Sequence, residues 1–166
     1  MAAERLIAVL EKLSGIHEEL IELADRKRDA LVRNQVDEVS AIVNKETKRM
    51  REIGEHLQEQ QAATVDFFRA KGFQPTREVT VTELSRIVTD PKEKEALLAA
   101  RNRLAEVIAR LQKKNELNQQ LIEQSLAFIN YSIDVVVGPD EEPTYQNPAA
   151  RPYGTGKRSG YFDSKA

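Results

Sequence analysis

From Leu97 to Val136 the apolar residues step forward by three and four. Leu97, Leu104, Ile108, Leu111, Ile122, Ile129 and Val136 fall on one line of a helix wound at about 100° per residue. A period of that kind commits this part of the chain to one long helix. From Leu121 onward a second line runs beside the first, formed by Leu121, Phe128 and Val135. A helix with a single neighbour needs a single stripe, so the doubled stripe calls for further cover. Three-helix packing, in which each helix meets two others, is one explanation. The other is a partner. The wide stripe is confined to the last part of the helix, Tyr131 broadens it, and an aromatic tail begins where it ends.

Two further long helices and one short one are expected ahead of this seam. The first long helix spans residues 3–33, with an apolar set of Leu6, Val9, Leu10, Leu13, Ile16, Leu20, Ile21, Leu23, Ala24 and Leu31. Those positions cover a broad arc, as suits a helix between two neighbours. Asn34-Gln35 breaks the pattern and reverses the chain. The second spans 37–71, with its line through Val36, Val39, Val43, Met50, Ile53, Leu57 and Phe68, Val65 beside it, and Glu46 as a polar seam position that sets register. Gly72 followed by Phe73-Gln74-Pro75 stops it. Thr80-Val81-Thr82-Glu83 is a capping box that starts a short helix with Leu84, Ile87 and Val88 on its apolar side. Asp90-Pro91, with Glu93 three beyond the Asp, opens the third long helix, about 70 Å in length. Gly138-Pro139 ends it.

Past that point no apolar period survives. Pro139, Pro143, Pro148 and Pro152 with Gly154, Gly156 and Gly160 predict a disordered tail. Yet three of the four tyrosines (Tyr145, Tyr153, Tyr161) and Phe162 lie there, the content of a binding segment rather than a linker. The expected organisation is a helical bundle domain over 1–137 and a flexible tail over 138–166. The fold class is all-α: an elongated antiparallel coiled coil, or three-long-helix bundle, with a short connecting helix.

Several function classes lose support at this stage. The 25 Lys and Arg nearly balance 27 Asp and Glu. The basic clusters Arg26-Lys27-Arg28, Lys48-Arg49 with Arg51, and Lys113-Lys114 each sit among carboxylates, whereas nucleic acid demands one continuous basic field. No nucleic-acid partner is expected. The absence of cysteine excludes disulfides and thiolate ligands. The start, Met1-Ala2-Ala3-Glu4-Arg5-Leu6, has no signal-peptide pattern, and no run approaches the ~20 apolar residues of a bilayer span. A cytoplasmic protein without membrane insertion is expected.

No motif carries catalysis. His17 lies on the apolar side of the first helix as a satisfied boundary imidazole. His56 has Glu52 one turn before it and Glu59 near it, a surface pairing rather than a metal site, since a carboxylate-bundle di-metal centre needs Glu-x-x-His from two helices. Phosphate loops, nucleophile elbows and zinc spacings are missing. No enzyme activity, cofactor or metal is expected. Asn115 and Asn118 fall on the third long helix's seam as register-setting amides, or as exposed amides that grip a partner.

The segment Leu121-Ile122-Glu123-Gln124-Ser125-Leu126-Ala127-Phe128-Ile129-Asn130-Tyr131-Ser132-Ile133-Asp134 resembles the late helix of FlgN-type flagellar export chaperones. Tyr153-Gly154-x-Gly156 and the ending Phe162-Asp163-Ser164-Lys165-Ala166 are similar to the tails of members from Gram-positive-type bacteria. Helix lengths and order agree along the whole chain. The resemblance implies an ATP-independent chaperone for the hook–filament junction proteins FlgK and FlgL. Such a chaperone holds the client's terminal helical region and delivers it to the export gate of the flagellar type III apparatus. It marks Leu121, Ile122, Leu126, Phe128, Ile129 and Tyr131 as partner-binding, with Tyr153, Tyr161 and Phe162 in the tail. The stripe itself adds Val135. A monomer or weak homodimer is expected. The rival readings are a structural, self-associating coiled coil without client and a metal- or ligand-binding helical bundle.

Overall fold

A computed structural model describes residues 2–75 and 77–138, and the expected tail lies beyond them apart from Gly138. Four helices follow one another: α1 (Ala2–Val32), α2 (Val36–Ala70), α3 (Val81–Ile87) and α4 (Pro91–Val137). No strand occurs among the described residues, so the fold is all-α. The chain divides into two units, Met1–Ile122 and Glu123–Ala166.

Each helix ends where its local chemistry dictates. Asn34 takes a left-handed φ of 55°, and its N–H donates to the Leu31 carbonyl (3.3 Å) while the Gln35 N–H donates to that of Ala30 (2.9 Å). This is the Schellman pattern, with Asn standing where glycine is usual. It recurs at the end of α2. Gly72 has φ 84°, Gly72 N–H reaches the Arg69 carbonyl (3.0 Å) and Phe73 N–H reaches that of Phe68 (2.9 Å). The two phenylalanines that flank this turn meet edge to face at 6.2 Å, supplying the apolar contact that seals such a cap. At the start of α3 the predicted capping box is present. The Thr80 hydroxyl accepts from Glu83 N–H (3.1 Å), and Glu83 Oε2 accepts from Thr80 N–H (2.9 Å). The Asp90 carboxylate accepts from Lys92 N–H (3.1 Å) at the head of α4.

In the first unit α2 runs antiparallel to α1, as Arg5–Asp66 (3.3 Å), Glu19–Arg49 (2.8 Å) and Lys27–Glu46 (2.8 Å) mark out. The early part of α4 runs in the same direction as α1, through Glu18–Arg103 (3.1 Å) and then Asp25–Lys114 (2.6 Å). One core draws on all four helices: Ala3, Leu6 and Leu10 from α1, Ala63 and Phe67 from α2, Val81 and Leu84 from α3, and Leu97 and Ala100 from α4, with Val88 between the last two helices. Leu6, Leu10, Leu84 and Leu97 are fully buried, and truncating any of them to Ala costs about 2–5 kcal/mol. A second core joins Leu20, Leu23 and Ala30 to Ile42, with Val39, Ile53 and Leu111 at its edge.

Two seam expectations need correction. On α4 the buried position is Val107, and Ile108 is half-buried. The inward line therefore runs Leu97, Ala100, Leu104, Val107, Leu111, Asn118. Neighbouring residues lie about 100° apart on a helix. Arg103 and Lys114 tie the Val107 side of α4 to α1, which settles the choice. On α2 the inward residues are Ile42, Ala63, Thr64 and Phe67, whereas Val36, Val43, Met50 and Leu57 are exposed. The ion pairs of Glu46 and Arg49 with α1 turn the 42–46–49 side inward and leave the 36–43–50–57 line outside.

Polar groups sit inside this packing; the buried Ser14 hydroxyl has no partner, whereas others are matched. Asn118 is only 3% exposed, and its side-chain amide donates to the Ala24 carbonyl (2.9 Å), consistent with the register-setting role. Asn115 is exposed. The Lys27 and Glu46 side chains are 15% and 13% exposed, and the ammonium reaches both carboxylate oxygens (2.8 and 3.0 Å). Glu46 is thus the polar seam residue that the periodicity indicates, and Lys27 is its partner.

Glu46→Ala leaves the Lys27 ammonium nearly buried beside no carboxylate, and should lower the unfolding free energy by roughly 1–3 kcal/mol in urea melts. The double variant Lys27→Met/Glu46→Leu should recover most of that loss, because two matched apolar groups strand no charge. A second expectation concerns pH. Arg77 at 2.6 Å and the Thr80 N–H hold the Glu83 carboxyl at about 2, well below its ordinary value. A depressed carboxylate stabilises the cap at full strength above its unfolded pKa of about 4.3 and loses that contribution as pH falls through about 2. In an NMR titration the Thr80 amide shift should therefore move with a midpoint near 2; a midpoint at the ordinary carboxylate value would show the cap to be open.

Candidate functional site

The second unit begins at Glu123, and its described part is the last portion of α4. No interruption by Gly or Pro occurs until Gly138, whose φ of 95° and N–H to the Asp134 carbonyl (2.9 Å) close the helix. Six large apolar side chains here are exposed: Phe128 (69%), Ile129 (48%), Tyr131 (66%), Val135 (64%), Val136 (83%) and Val137 (43%). Leu126 and Ile133 are half-buried. Ser132 bends back on its own helix, its hydroxyl donating to the Phe128 carbonyl (2.9 Å). Scattered exposed hydrophobics are ordinary on a protein surface; here they are gathered in one short helical stretch.

Of the partner-binding residues marked from sequence, Leu126, Phe128, Ile129, Tyr131 and Val135 share this short helical stretch. Leu121 and Ile122 belong to the first unit and are half-buried. Tyr153, Tyr161 and Phe162 lie outside the described residues. Val136 and Ile133 were not marked as site residues, although the signal was present: Val136 is seven residues after Ile129 and Ile133 four after it, on the same face.

Several other titratable groups are paired within the chain. His17 Nδ1 meets the Leu13 carbonyl at 2.7 Å, one turn back on its own helix. His56 pairs with Glu59 at 3.3 Å. The basic clusters are largely answered by acids: Arg26 by Glu38, Lys27 by Glu46, Arg49 by Glu19 and Glu52, Lys114 by Asp25. Among the described residues no three His, Asp or Glu side chains are gathered where a metal ion could be held. No described helix is long and apolar enough to cross a membrane.

The described residues form an all-α scaffold with bare apolar side chains along the end of its last helix. A family model described as FlgN protein matches residues 1–152, so the chain belongs to the FlgN family, a family of non-enzymatic chaperones, and is, in general terms, a flagellar export chaperone. It is 30% identical to the uncharacterized protein YvyG of Bacillus subtilis (strain 168) over 166 residues, the whole of both chains. No solved structure matches.

Because the Phe128 ring is largely in solvent, Phe128→Asp should change the unfolding free energy by less than about 0.5 kcal/mol and leave the far-UV circular dichroism intact. A drop of several degrees in a thermal melt would place the ring in a core.

Proposed function

We propose that this protein is a cytoplasmic, ATP-independent chaperone. On this reading it binds the terminal helical regions of the hook–filament junction proteins FlgK and FlgL and hands them to the flagellar type III export gate. The observation that carries the proposal is the exposure of Phe128, Ile129, Tyr131 and Val135 along one helical stretch, in a chain of the FlgN family. On this reading Leu121, Ile122 and Leu126 extend the contact along α4. Tyr153, Tyr161 and Phe162 offer a second, aromatic contact for client or gate.

Helix-in-groove recognition supplies the physics. An amphipathic client helix laid on Phe128 and Val135 completes an apolar layer of the coiled-coil kind. A standard interface buries about 1,200–2,000 Å² in total. Ordering a client segment that is unfolded before assembly costs about 2–5 kcal/mol of that interaction, which leaves binding tight enough to hold and weak enough to release. Such a cycle uses no nucleotide.

Purified protein should bind purified FlgK and FlgL in isothermal titration, and Phe128→Asp should weaken that binding by about a hundredfold while the protein stays folded. Unchanged affinity would remove Phe128 from the interface. A wild-type dimer that Phe128→Asp dissolves, with no binding of either junction protein, would instead identify a structural coiled coil.

A further inference from the structure

The apolar surface at the end of α4 is wider than one partner helix can cover. Take Phe128 as the zero of a helical wheel. At about 100° per residue, Tyr131 and Val135 lie near −60° and −20°, Val136 and Ile129 near 80° and 100°, and Ile133 and Leu126 near 140° and 160°. The apolar arc is therefore roughly 220°, against the ~100° stripe that suits a single neighbour. It is also divided. Phe128, Tyr131 and Val135 form one stripe; Leu126, Ile129, Ile133 and Val136 form another. The small residues Ser125 and Ser132 occupy the gap between them. Both stripes hold exposed members, Phe128, Tyr131 and Val135 on the first, Ile129 and Val136 on the second.

Gln124, near −40°, is the polar member of the first stripe, and Val137, near 180°, borders the second. What remains of the circumference, at about 100° per residue, is one narrow strip of Glu123, Ala127, Asn130 and Asp134, at the four-three-four spacing of a single helical face. The charges on and beyond it have one sign. Between Lys114 and Arg151 there is no Lys or Arg, and the acids there are Glu116, Glu123, Asp134, Asp140, Glu141 and Glu142. A partner helix on either stripe has the Asp134 carboxylate in the strip beside it, and the sequence of that segment contributes no Lys or Arg. An acid-edged helix would be repelled there, and a second copy of this segment would bring carboxylates against carboxylates.

We infer that the end of α4 takes two amphipathic helices at once, one on each stripe, both edged with Lys or Arg. The inference rests on the chaperone reading above and adds the form of the client: a pair of helical segments from the junction protein, with the end of α4 as the rod between them. Basic edges speed encounter and fix the register of the incoming helices, whereas the apolar stripes supply the affinity.

The test measures binding of a purified full-length junction protein, FlgK or FlgL, to three variants and wild type by isothermal titration. Phe128→Ala/Val135→Ala strips the first stripe, and Ile129→Ala/Val136→Ala strips the second. Alanine adds no charge and favours the helix, and circular dichroism verifies that each variant is as helical as wild type. Two client helices require both double variants to weaken binding by about tenfold or more. Asp134→Lys should weaken it severalfold at low salt, a difference that disappears in high salt. If one double variant binds within about twofold of wild type while the other is crippled, a single helix binds and the inference fails, although the chaperone reading stands. Binding by both double variants within about twofold of wild type overturns the site itself. Failure of wild type to bind either junction protein overturns the chaperone reading and the inference together. A wild-type dimer that the second double variant alone dissolves assigns the second stripe to another copy of this chain, and that also sinks the inference.

Discussion

The fold depends on a closure between residues some ninety apart: Leu6 and Leu10 near the start of the chain pack in one core with Leu97 and Ala100 at the head of α4. Neither helix can bury these leucines alone. Phe67 of α2 and Leu84 of the short α3 complete the enclosure, which explains why a seven-residue helix with its own capping box and an Arg77–Glu83 pair is retained in the connection. Apolar contact of this sort is strong but not directional. Direction comes from the polar contacts further along, where Asn118 reaches the Ala24 carbonyl and Lys27 holds Glu46. A slip of one turn would strand a buried amide and a nearly buried ion pair, so these groups give the packing its register.

Helix number, order and ends were legible because each rests on local chemistry. Thr80 with Glu83, Asp90 before Pro91, and Gly72 act within a turn of themselves, and the structure places each as the sequence implied. Which side of a helix faces inward was harder to read. Val107 and Ile108 are both apolar, as are Ile42 and Val43, and either member of each pair satisfies a heptad. The decision is made by the neighbour, through Glu18 on Arg103 and Glu19 on Arg49, and such contacts across the chain leave no periodic trace. The α2 line of Val36, Val43, Met50 and Leu57 shows the consequence: regular spacing alone does not bury a residue.

The end of α4 presents the reverse case. Its doubled stripe was evident in the spacing, whereas its exposure, which spacing does not encode, was not. Exposure of six large apolar side chains costs the free protein solubility and contributes nothing to its folding. Membership of the FlgN family provides the context in which such a surface is useful. On the proposed reading, a chaperone that works without nucleotide keeps its binding energy in reserve in the free state, and uncovered apolar side chains on the end of α4 would hold that reserve.

Hydrogen–deuterium exchange on the protein alone and with a junction protein bound tests this most directly. The account predicts slow exchange in the part of α1 around Leu6 to Leu13 under both conditions. Residues 123–137 should exchange much faster in the free protein, since a helix without tertiary cover opens at low cost, and should slow sharply when the client is present. Protection of 123–137 equal to that of α1 in the free protein would mean that the apolar end is already covered, and would contradict the account.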